Sequence, residues 1–226
     1  MSNFLGEVKG VRVPTSILSG TELIEREGVD LKKGMNFRKD VWMTSVFLVL
    51  PSHDGEYKDA WDEDTETYTF EGHDSTTIEA GGKSKDQLLM YADGRFTDNG
   101  KFYKAANEFK DRLRREPMRI QVYEKLDAGA WFDKGIFDLV DARKAKEDGR
   151  VLIKFDLQPV GDGQDDALFT ERMLSVIAKA EVWKRDNGRC SKCKAQTGLR
   201  FIEEKKKRTI HLLCAKCRGE SGGILG

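Results

Sequence analysis

The chain has 226 residues, of which 35% are charged and 38% are hydrophobic, and its 39 Lys+Arg residues balance 39 Asp+Glu residues. Since disorder usually combines low hydrophobicity with a large net charge, this composition predicts a folded protein of about one and a half domains. The longest apolar run, residues 46–50, is far shorter than the roughly 18 residues that cross a bilayer, and the first residues lack a secretory signal, so we expect a cytoplasmic protein.

The first predicted element is a buried strand over residues 41–50, a segment rich in β-branched and aromatic side chains that stops at Pro51. Further strands are predicted where side chains alternate in character, at 65–70, 118–126, 135–142 and 150–160. Loops at 127–129 and 146–149 join the last three of these strands, which therefore predict a sheet.

Residues 51–74 combine nine carboxylates and one lysine with the rings of Tyr57, Trp61, Tyr68 and Phe70. One interpretation is an exposed acidic loop with a few anchoring aromatic residues. The other is a pocket for a planar base, in which rings stack on the base and carboxylates accept hydrogen bonds from its edge, as they do from the cytosine amino group. Because nine acids are unfavourable beside a phosphate backbone, the segment argues against non-specific DNA binding by this face.

An amphipathic helix is predicted over residues 100–115, with an N-cap at Thr97, Asp98 or Asn99. Its apolar face consists of Phe102, Ala105, Ala106, Phe109 and Leu113. Its opposite face is basic and carries Lys104, Lys110, Arg112, Arg114 and Arg115.

The chain is predicted to divide at a linker over residues 161–170, which begins with a Gly- and Asp-rich run that has nothing apolar to bury. Residues 1–170 carry 25 Lys+Arg and 33 Asp+Glu, whereas residues 171–226 carry 14 and 6. We therefore expect one domain over 1–160 and a basic module over 171–226 that could meet a polyanion, or that simply has a solvated basic surface. Apolar residues at helical spacing predict a helix leading from the linker into this module.

All four cysteines, Cys190, Cys193, Cys214 and Cys217, lie in the basic module as two Cys-x-x-Cys pairs separated by twenty residues. In a chain with no secretory signal, such pairs favour a tetrahedral Zn²⁺ site over disulfides. The alternatives are two redox pairs or free thiols. A module this short buries little core, so we expect structural zinc to supply folding energy, while residues 5–160 keep a core of their own.

A series of short motifs runs through the first 160 residues: Glu56-Tyr57-Lys58-Asp59, then Thr67-Tyr68-Thr69-Phe70-Glu71-Gly72, Asp86-Gln87, Pro117-Met118-Arg119-Ile120 and Phe132-Asp133-Lys134-Gly135. In order and spacing these motifs resemble the SRA (SET and RING-associated) domain family over roughly residues 5–160. SRA domains read modified cytosine by flipping it out of the duplex. The resemblance implies an α+β fold with a curved β-barrel and a packed helix.

The same resemblance implies a set of base-pocket residues. Tyr57 and Tyr68 would stack on the flipped base, and Asp59 would accept a hydrogen bond from its amino group. Asp62 is the alternative acceptor, and Thr69 would lie beside the pyrimidine edge.

Two departures from the SRA pattern concern this pocket. Ala60 stands where the family has a second acid, and for that reason both neighbouring aspartates are candidates. Lys134 interrupts the Tyr-Asp-Gly signature. The pocket contacts, and hence the preferred modification, stay open.

The basic module contains a second set of motifs: residues 182–193 with the first cysteine pair, Leu199-Arg200-Phe201, and Leu212-Leu213-Cys214-Ala215-Lys216-Cys217. These motifs resemble the zinc-bearing frame of HNH endonucleases, a ββα-type module that cuts DNA with a second metal such as Mg²⁺ or Mn²⁺. Glu203 stands where the family has its catalytic His, Thr209 where it has Asn, and Arg218 where a late Asn is usual. The resemblance therefore implies a kept zinc frame without the cutting residues.

His211 is a candidate for a displaced catalytic base, but its position favours a structural or surface histidine. Glu203 and Glu204 could hold a metal, although the adjacent basic run favours a solvated hairpin. Candidates for contacts with DNA phosphates are Arg185, Arg189, Lys205, Lys206, Lys207 and Arg208, with exposed lysines of no special role as the alternative.

Together the two resemblances imply recognition of modified cytosine in double-stranded DNA, in an architecture like that of modification-dependent restriction endonucleases. Three hypotheses are open: an active endonuclease, a non-cutting DNA reader, and a zinc-stapled protein-interaction module. The missing Asp-His pair favours the reader. Whether the protein forms a homodimer is open.

Overall fold

The computed structural model describes residues 17–37, 44–49, 59–73, 86–160, 166–204 and 206–219. The strands of this part of the chain are β1 Ile17–Ser19, β2 Met35–Phe37, β3 Thr44–Val49, β4 Ala60–Asp62, β5 Thr67–Glu71, β6 Met118–Asp127, β7 Ala130–Glu147, β8 Arg150–Pro159, β9 Leu199–Glu204 and β10 Thr209–Cys214. The helices are α1 Gly20–Glu27, α2 Asp98–Lys110, α3 Asp166–Met173, α4 Val176–Asp186 and α5 Ala215–Arg218. The α+β class is confirmed, as are the strands predicted at 118–126, 135–142 and 150–160.

Helix α2 begins where the sequence predicts, because the Thr97 hydroxyl accepts the backbone N–H of Gly100 at 3.0 Å. The predicted end at residue 115 is wrong, since the helix stops at Lys110. Arg112 adopts a left-handed conformation with φ of 60°, and the N–H groups of Leu113 and Arg114 both donate to the Glu108 carbonyl. Leu113 is consequently 79% exposed instead of completing the apolar face.

The larger sheet has the strand order β2-β3-β6-β7-β8-β5-β4, and β1 pairs with the start of β7. Strands β3 and β6 are parallel, and the other pairings are antiparallel. The described strands form an open path from β2 to β4, and the pairing that would close the expected barrel is not made between these two. Helix α2 packs on the sheet and contributes Phe102 and Ala106 to a core that also contains Phe47, Tyr68 and Phe155.

The 18-residue strand β7 pairs first with β6 and then with β8. Its glycine Gly135 has φ of 96°, a conformation that favours glycine, and a Cβ added there would lie 3.0 Å from the Arg172 guanidinium. Arg172 in α3 uses this approach to donate from Nε to the Lys134 carbonyl at 2.7 Å and from its Nη2 to the Ile136 carbonyl at 3.1 Å. Helix α3 is thereby fixed against the middle of the sheet.

The single helix predicted to lead into the basic module is two helices, α3 and α4, separated at Leu174 and Ser175. Helix α3 begins at Asp166, inside the predicted linker 161–170, and residues 161–165 lie outside the described part of the chain. The division into domains therefore stays a prediction, and contacts cross it.

One cluster of buried residues joins the module to the sheet. Leu126 of β6 and Phe132 of β7 pack with Cys190, Phe201 and Leu212. The rings of Phe132 and Phe201 meet edge to face, with their centroids 5.9 Å apart. Because these apolar groups leave water together, the module and the sheet share a core, in contrast to the separate cores that we expected.

None of the described helices has the length and apolar character needed to cross a membrane.

Candidate functional site

The hairpin of β4 and β5 presents two aromatic rings on one face. Trp61 and Tyr68 are directly opposite each other in the antiparallel pairing, which places their Cβ atoms about 4.5–5.5 Å apart. Tyr68 is 4% exposed, whereas Trp61 is half-buried and meets Phe169 of α3 edge to face at 5.7 Å.

Both rings line a cavity of about 300 Å³. One further wall consists of Asp59, just before β4, and Ala60, the first residue of β4. The others come from Glu124 of β6, Lys134 of β7 and the junction of α3 and α4, residues 173–177. This volume is at the lower end of the range for small-molecule pockets and is sufficient for one nucleobase. We call the α3–α4 junction the roof. It belongs to the part of the chain that the sequence analysis assigned to the basic module and not to the domain that contains the sheet.

Asp59 is the acidic group of the hairpin side of the cavity. One of its carboxylate oxygens, Oδ1, accepts the backbone N–H of Glu71 at 2.8 Å, which fixes its orientation. Burial raises the pKa of Asp59 to about 7, an effect that the hydrogen bond from Glu71 only partly opposes. At neutral pH the group can therefore either accept or donate a hydrogen bond.

The floor of the cavity is formed by Glu124 and Lys134, which belong to a buried cluster that also contains Lys179. Lys134 Nζ lies 2.7 Å from Glu124 Oε1, and Lys179 Nζ of α4 contacts Glu124 Oε2. All three side chains are at most 1% exposed. Both ammonium groups also donate to the backbone carbonyl of Arg172, and that of Lys134 lies 4.8 Å from the centre of the Tyr68 ring.

The charges in this cluster compete with desolvation. Burial alone would raise the pKa of Glu124, but the two ammonium groups reverse the effect and lower it. Burial lowers the pKa of Lys179 to about 7, against the attraction of Glu124 and with the repulsion of Lys134. Lys134, which interrupts the SRA signature, is thus placed where it contacts both the floor and an aromatic wall.

Of the pocket residues predicted from the resemblance, Asp59 and Tyr68 line the cavity. Asp62 is exposed and accepts the N–H groups of Asp64 and Thr65, which stabilises the turn after β4. Thr69 points its hydroxyl to Asp156 at 2.9 Å and is not among the lining residues. Tyr57 lies outside the described residues.

Sequence reasoning missed Glu124, Lys134 and the roof as cavity residues. Trp61 was included in the pocket hypothesis as one of the rings of the aromatic and acidic segment, although the SRA resemblance assigned it no role. The others reach the cavity only through strand pairing and helix packing, for which the sequence offers no local signal.

The second candidate site is the cluster of the four cysteines. Their Sγ atoms all lie within 4.8 Å of one another, and those of Cys193 and Cys214 are 3.4 Å apart. Cys190 and Cys214 are buried. In the described part of the chain these residues are the only group of three or more metal-ligating side chains brought together.

The arrangement fits a tetrahedral metal such as zinc. A zinc–sulfur distance of about 2.3 Å places the four sulfurs of a tetrahedron about 3.8 Å apart, within the spread of the cluster. Desolvation raises the pKa of the Cys190 thiol, but backbone N–H groups of Cys193, Cys214 and Lys192 reverse this and lower it to about 6, so the protein already stabilises a thiolate there. Four such ligands would fill the coordination shell of zinc and give it a structural role.

The residues that the HNH resemblance singled out are engaged in structural contacts. Arg218 donates to the carbonyls of Gly198 and Leu213 at 2.8 and 2.7 Å, which holds α5 on the hairpin. Thr209 Oγ1 lies 3.2 Å from His211 Nε2, and this nitrogen is 3.7 Å from Glu204 Oε2. Glu203 pairs with Ile210 across the hairpin.

The predicted phosphate-contacting residues differ in availability. The Arg185 guanidinium is held by Asp186 at 2.6 and 3.0 Å and by the Ile210 carbonyl at 3.2 Å. Lys207 pairs with Glu204 at 2.9 Å. Arg189, Lys206 and Arg208 are exposed, and Lys205 lies outside the described residues.

No family model matches this chain. No curated protein matches it in sequence.

Its structural neighbours are SRA domains. The SRA domain of SUVH5 in complex with fully methylated CG DNA is 19% identical with a TM-score of 0.46, over 71% of this chain and 96% of that chain. Arabidopsis thaliana SUVH6 in complex with SAM is 17% identical with a TM-score of 0.44, over 88% of this chain and 32% of that one. The sulfur binding and SRA domains of ScoMcrA complexed with phosphorothioated DNA are 15% identical with a TM-score of 0.42, over 68% of this chain and 41% of that one. Similarity at this level does not establish family membership.

Proposed function

We propose that this protein recognises double-stranded DNA containing a modified cytosine, by taking the flipped base into the cavity between Trp61, Tyr68 and Asp59. The observation that carries the proposal is the cavity itself, in which two rings and the Asp59 carboxylate converge in a volume suited to a nucleobase. The rings would stack on the base, and an ionised Asp59 would accept from its amino group.

In this proposal Lys134, which interrupts the SRA signature, adds a hydrogen-bond donor to the pocket. Its ammonium lies beside the Tyr68 ring and is held by Glu124. A donor at this point complements the acceptor atoms N3 and O2 of a cytosine whose amino group faces Asp59. A pocket with a donor and an acceptor would discriminate against bases that leave one of them unpaired.

We further propose that the basic module is a zinc-stapled backbone-binding unit that does not cut DNA, in an architecture like that of modification-dependent restriction endonucleases. Four thiolates would close the zinc coordination shell. Exposed Arg189, Lys206 and Arg208 would contact phosphates without reading sequence.

The experiment is a binding titration of the full chain with matched duplexes that differ only in 5-methylation of one cytosine. Wild-type protein should prefer the methylated duplex. Tyr68→Leu keeps an apolar side chain at this core position but removes the stacking surface, so it should weaken binding to the methylated duplex about 5- to 150-fold, as expected for a loss of roughly 1–3 kcal/mol.

Binding of Tyr68→Leu to the unmodified duplex should change little, because phosphate contacts are unaffected. Hydroxymethylated duplexes run in parallel would identify the modification preferred. Equal affinity of the wild-type protein for all duplexes would refute the proposed base pocket.

A further inference from the structure

Consecutive residues of α3 bind opposite parts of the molecule. Glu171 accepts the backbone N–H of Phe201 at 2.7 Å and Nε of Arg200 at 2.8 Å, both in strand β9 of the module. Arg172 donates to the carbonyls of Lys134 and Ile136 in β7 of the large sheet. The glutamate is 1% exposed, so its contacts are made away from water.

The roof of the cavity begins at the very next residue. Met173, at the end of α3, and the residues up to Ile177, in the first turn of α4, line the cavity. Ser175 caps α4 without a side-chain hydrogen bond. Leu174, the other residue between the helices, packs against the cluster that the module shares with the sheet. The position of the segment is therefore set by this packing, by what holds α3 before it and by what holds α4 after it.

Helix α4 is held from both ends of its length. Lys179, two residues after the roof, makes its buried contact with Glu124 in the cavity floor. Val182 packs in the shared cluster with Cys190, Leu199 and Leu212, directly beside the four-sulfur group. The helix ends at Asp186, and its C-cap Asn187, three residues before the first cysteine, has a left-handed conformation.

We propose that metal binding at the four cysteines positions the roof and thereby sets the affinity of the cavity for its ligand, with Glu171 and Lys179 as the positioning residues that connect the two sites. The proposal rests on the proposed function for the identity of the ligand, but not for the coupling between module and roof. A metal that orders β9, β10 and the start of the module fixes Phe201, to which Glu171 is bonded. It also fixes the cluster on which Val182 packs. Without the metal, the segment 169–179 loses two contacts that hold it in place, the hydrogen bond of Glu171 to Phe201 and the packing of Val182 on the shared cluster.

The first test uses the full chain without any DNA. Amide hydrogen exchange is measured for peptides covering 169–179 in zinc-loaded protein and in protein stripped with a chelator. We expect faster exchange in this segment after stripping, while peptides from β5 and β8, which make no contact with the shared cluster, stay protected. Unchanged exchange over 169–179 would overturn the proposal.

The second test keeps the metal and weakens the connection. Glu171→Gln removes the charge that Arg200 contacts, whereas Glu181→Gln alters an exposed residue of α4 and is the matched control. Both variants should hold as much zinc as the wild type. Only Glu171→Gln should show faster exchange in the roof and a preference for the methylated duplex reduced by about fivefold, the lower end of typical coupling between sites.

Affinities for methylated and unmethylated duplexes separate a roof effect from lost phosphate contacts. Stripping zinc should lower the ratio of the two affinities about 5- to 150-fold, whereas loss of phosphate contacts alone would weaken both equally and count against the proposal. If the zinc-loaded wild type has no preference, the proposed function fails, and the exchange experiment still decides the coupling. Normal exchange and normal preference in Glu171→Gln would exclude Glu171 as a positioning residue.

Discussion

Lys179 of α4 and Glu124 of β6 form an ion pair in which neither side chain is more than 1% exposed. The pair joins the C-terminal quarter of the chain to strand β6 of the large sheet, at a glutamate that lines the candidate cavity. A second lysine, Lys134, shares the same carboxylate. One glutamate therefore supports two buried ammonium groups, and its removal should cost more than that of either lysine.

The first prediction concerns this cluster. Glu124→Gln should lower the free energy of unfolding by about 3–5 kcal/mol, as for other buried pairs that lose one partner, which corresponds to a fall in Tm of about 6–20 °C for a chain of this size. Lys134→Met leaves the pair of Glu124 with Lys179 and should be milder. Thermal unfolding followed by circular dichroism compares the two.

The loss in Glu124→Gln should also depend on pH. Without the carboxylate, burial should lower the pKa of Lys179 further below its wild-type value of about 7. Below pH 7 the folded variant must then shed a proton that the folded wild type and the unfolded chain keep, so the loss of stability should be largest there and shrink as the pH rises to 7. A variant as stable as Lys134→Met at pH 7 would contradict a role of the carboxylate as shared partner.

The second prediction follows from the raised pKa of Asp59, about 7. A base whose amino group donates a hydrogen bond needs Asp59 in its ionised form. The ionised fraction of Asp59 grows from about one tenth at pH 6 to about nine tenths at pH 8. Preference for the methylated duplex should therefore increase about tenfold over this range. Binding titrations at fixed ionic strength measure this preference at each pH. The unmodified duplex is the control for the effect of all other titrating groups on binding. In Asp59→Asn the pH dependence should disappear.

The third prediction is that the protein binds about one zinc per chain through its four cysteines. Cys193→Ser should abolish stoichiometric zinc, as measured by elemental analysis of protein purified under reducing conditions, while exposed Lys192→Ala keeps it. Because Phe201 and Leu212 share a core with Phe132, the loss should also lower the Tm of the sheet. A sheet that melts at the wild-type temperature would instead support two independent units.

The fourth prediction is that the protein does not nick DNA in Mg²⁺ or Mn²⁺. Hydrolysis needs a positioned base, whose absence alone typically costs about 10²–10⁴-fold. In the HNH resemblance, Glu203 and Thr209 take the places of the His and Asn that would act in cutting. His211 is the nearest substitute and contacts Thr209. Metal-dependent nicking that is lost in His211→Ala would restore the endonuclease hypothesis.

Local patterns predicted the elements of this protein better than their ends. The alternation in 118–126 and 150–160 corresponds to β6 and β8, although residues 120–124 and 152–155 are buried on both faces of these strands. Leu113 shows the limit of the approach. It continues the helical period of Phe102 and Ala106, yet it follows the left-handed Arg112 and is exposed.

Residues of the candidate site could be predicted from the sequence only where they are close together in the chain. Asp59 and Tyr68 lie in one aromatic and acidic segment, and the SRA resemblance singles them out. Glu124, Lys134 and Lys179 come from three elements and meet through packing. A buried lysine has no signature in sequence, since the same residue type is normally exposed.

The shared core also sets an order of events during synthesis. Leu126 and Phe132 are made before Phe201, Leu212 and the second cysteine pair, which cover them in the folded protein. At about 5–20 residues per second, the ribosome needs on the order of ten seconds to pass from Phe132 to Cys217. During that interval the apolar edge of the sheet and the Glu124 carboxylate lack their partners, so the nascent chain is expected to depend on chaperone protection until its last cysteine has emerged.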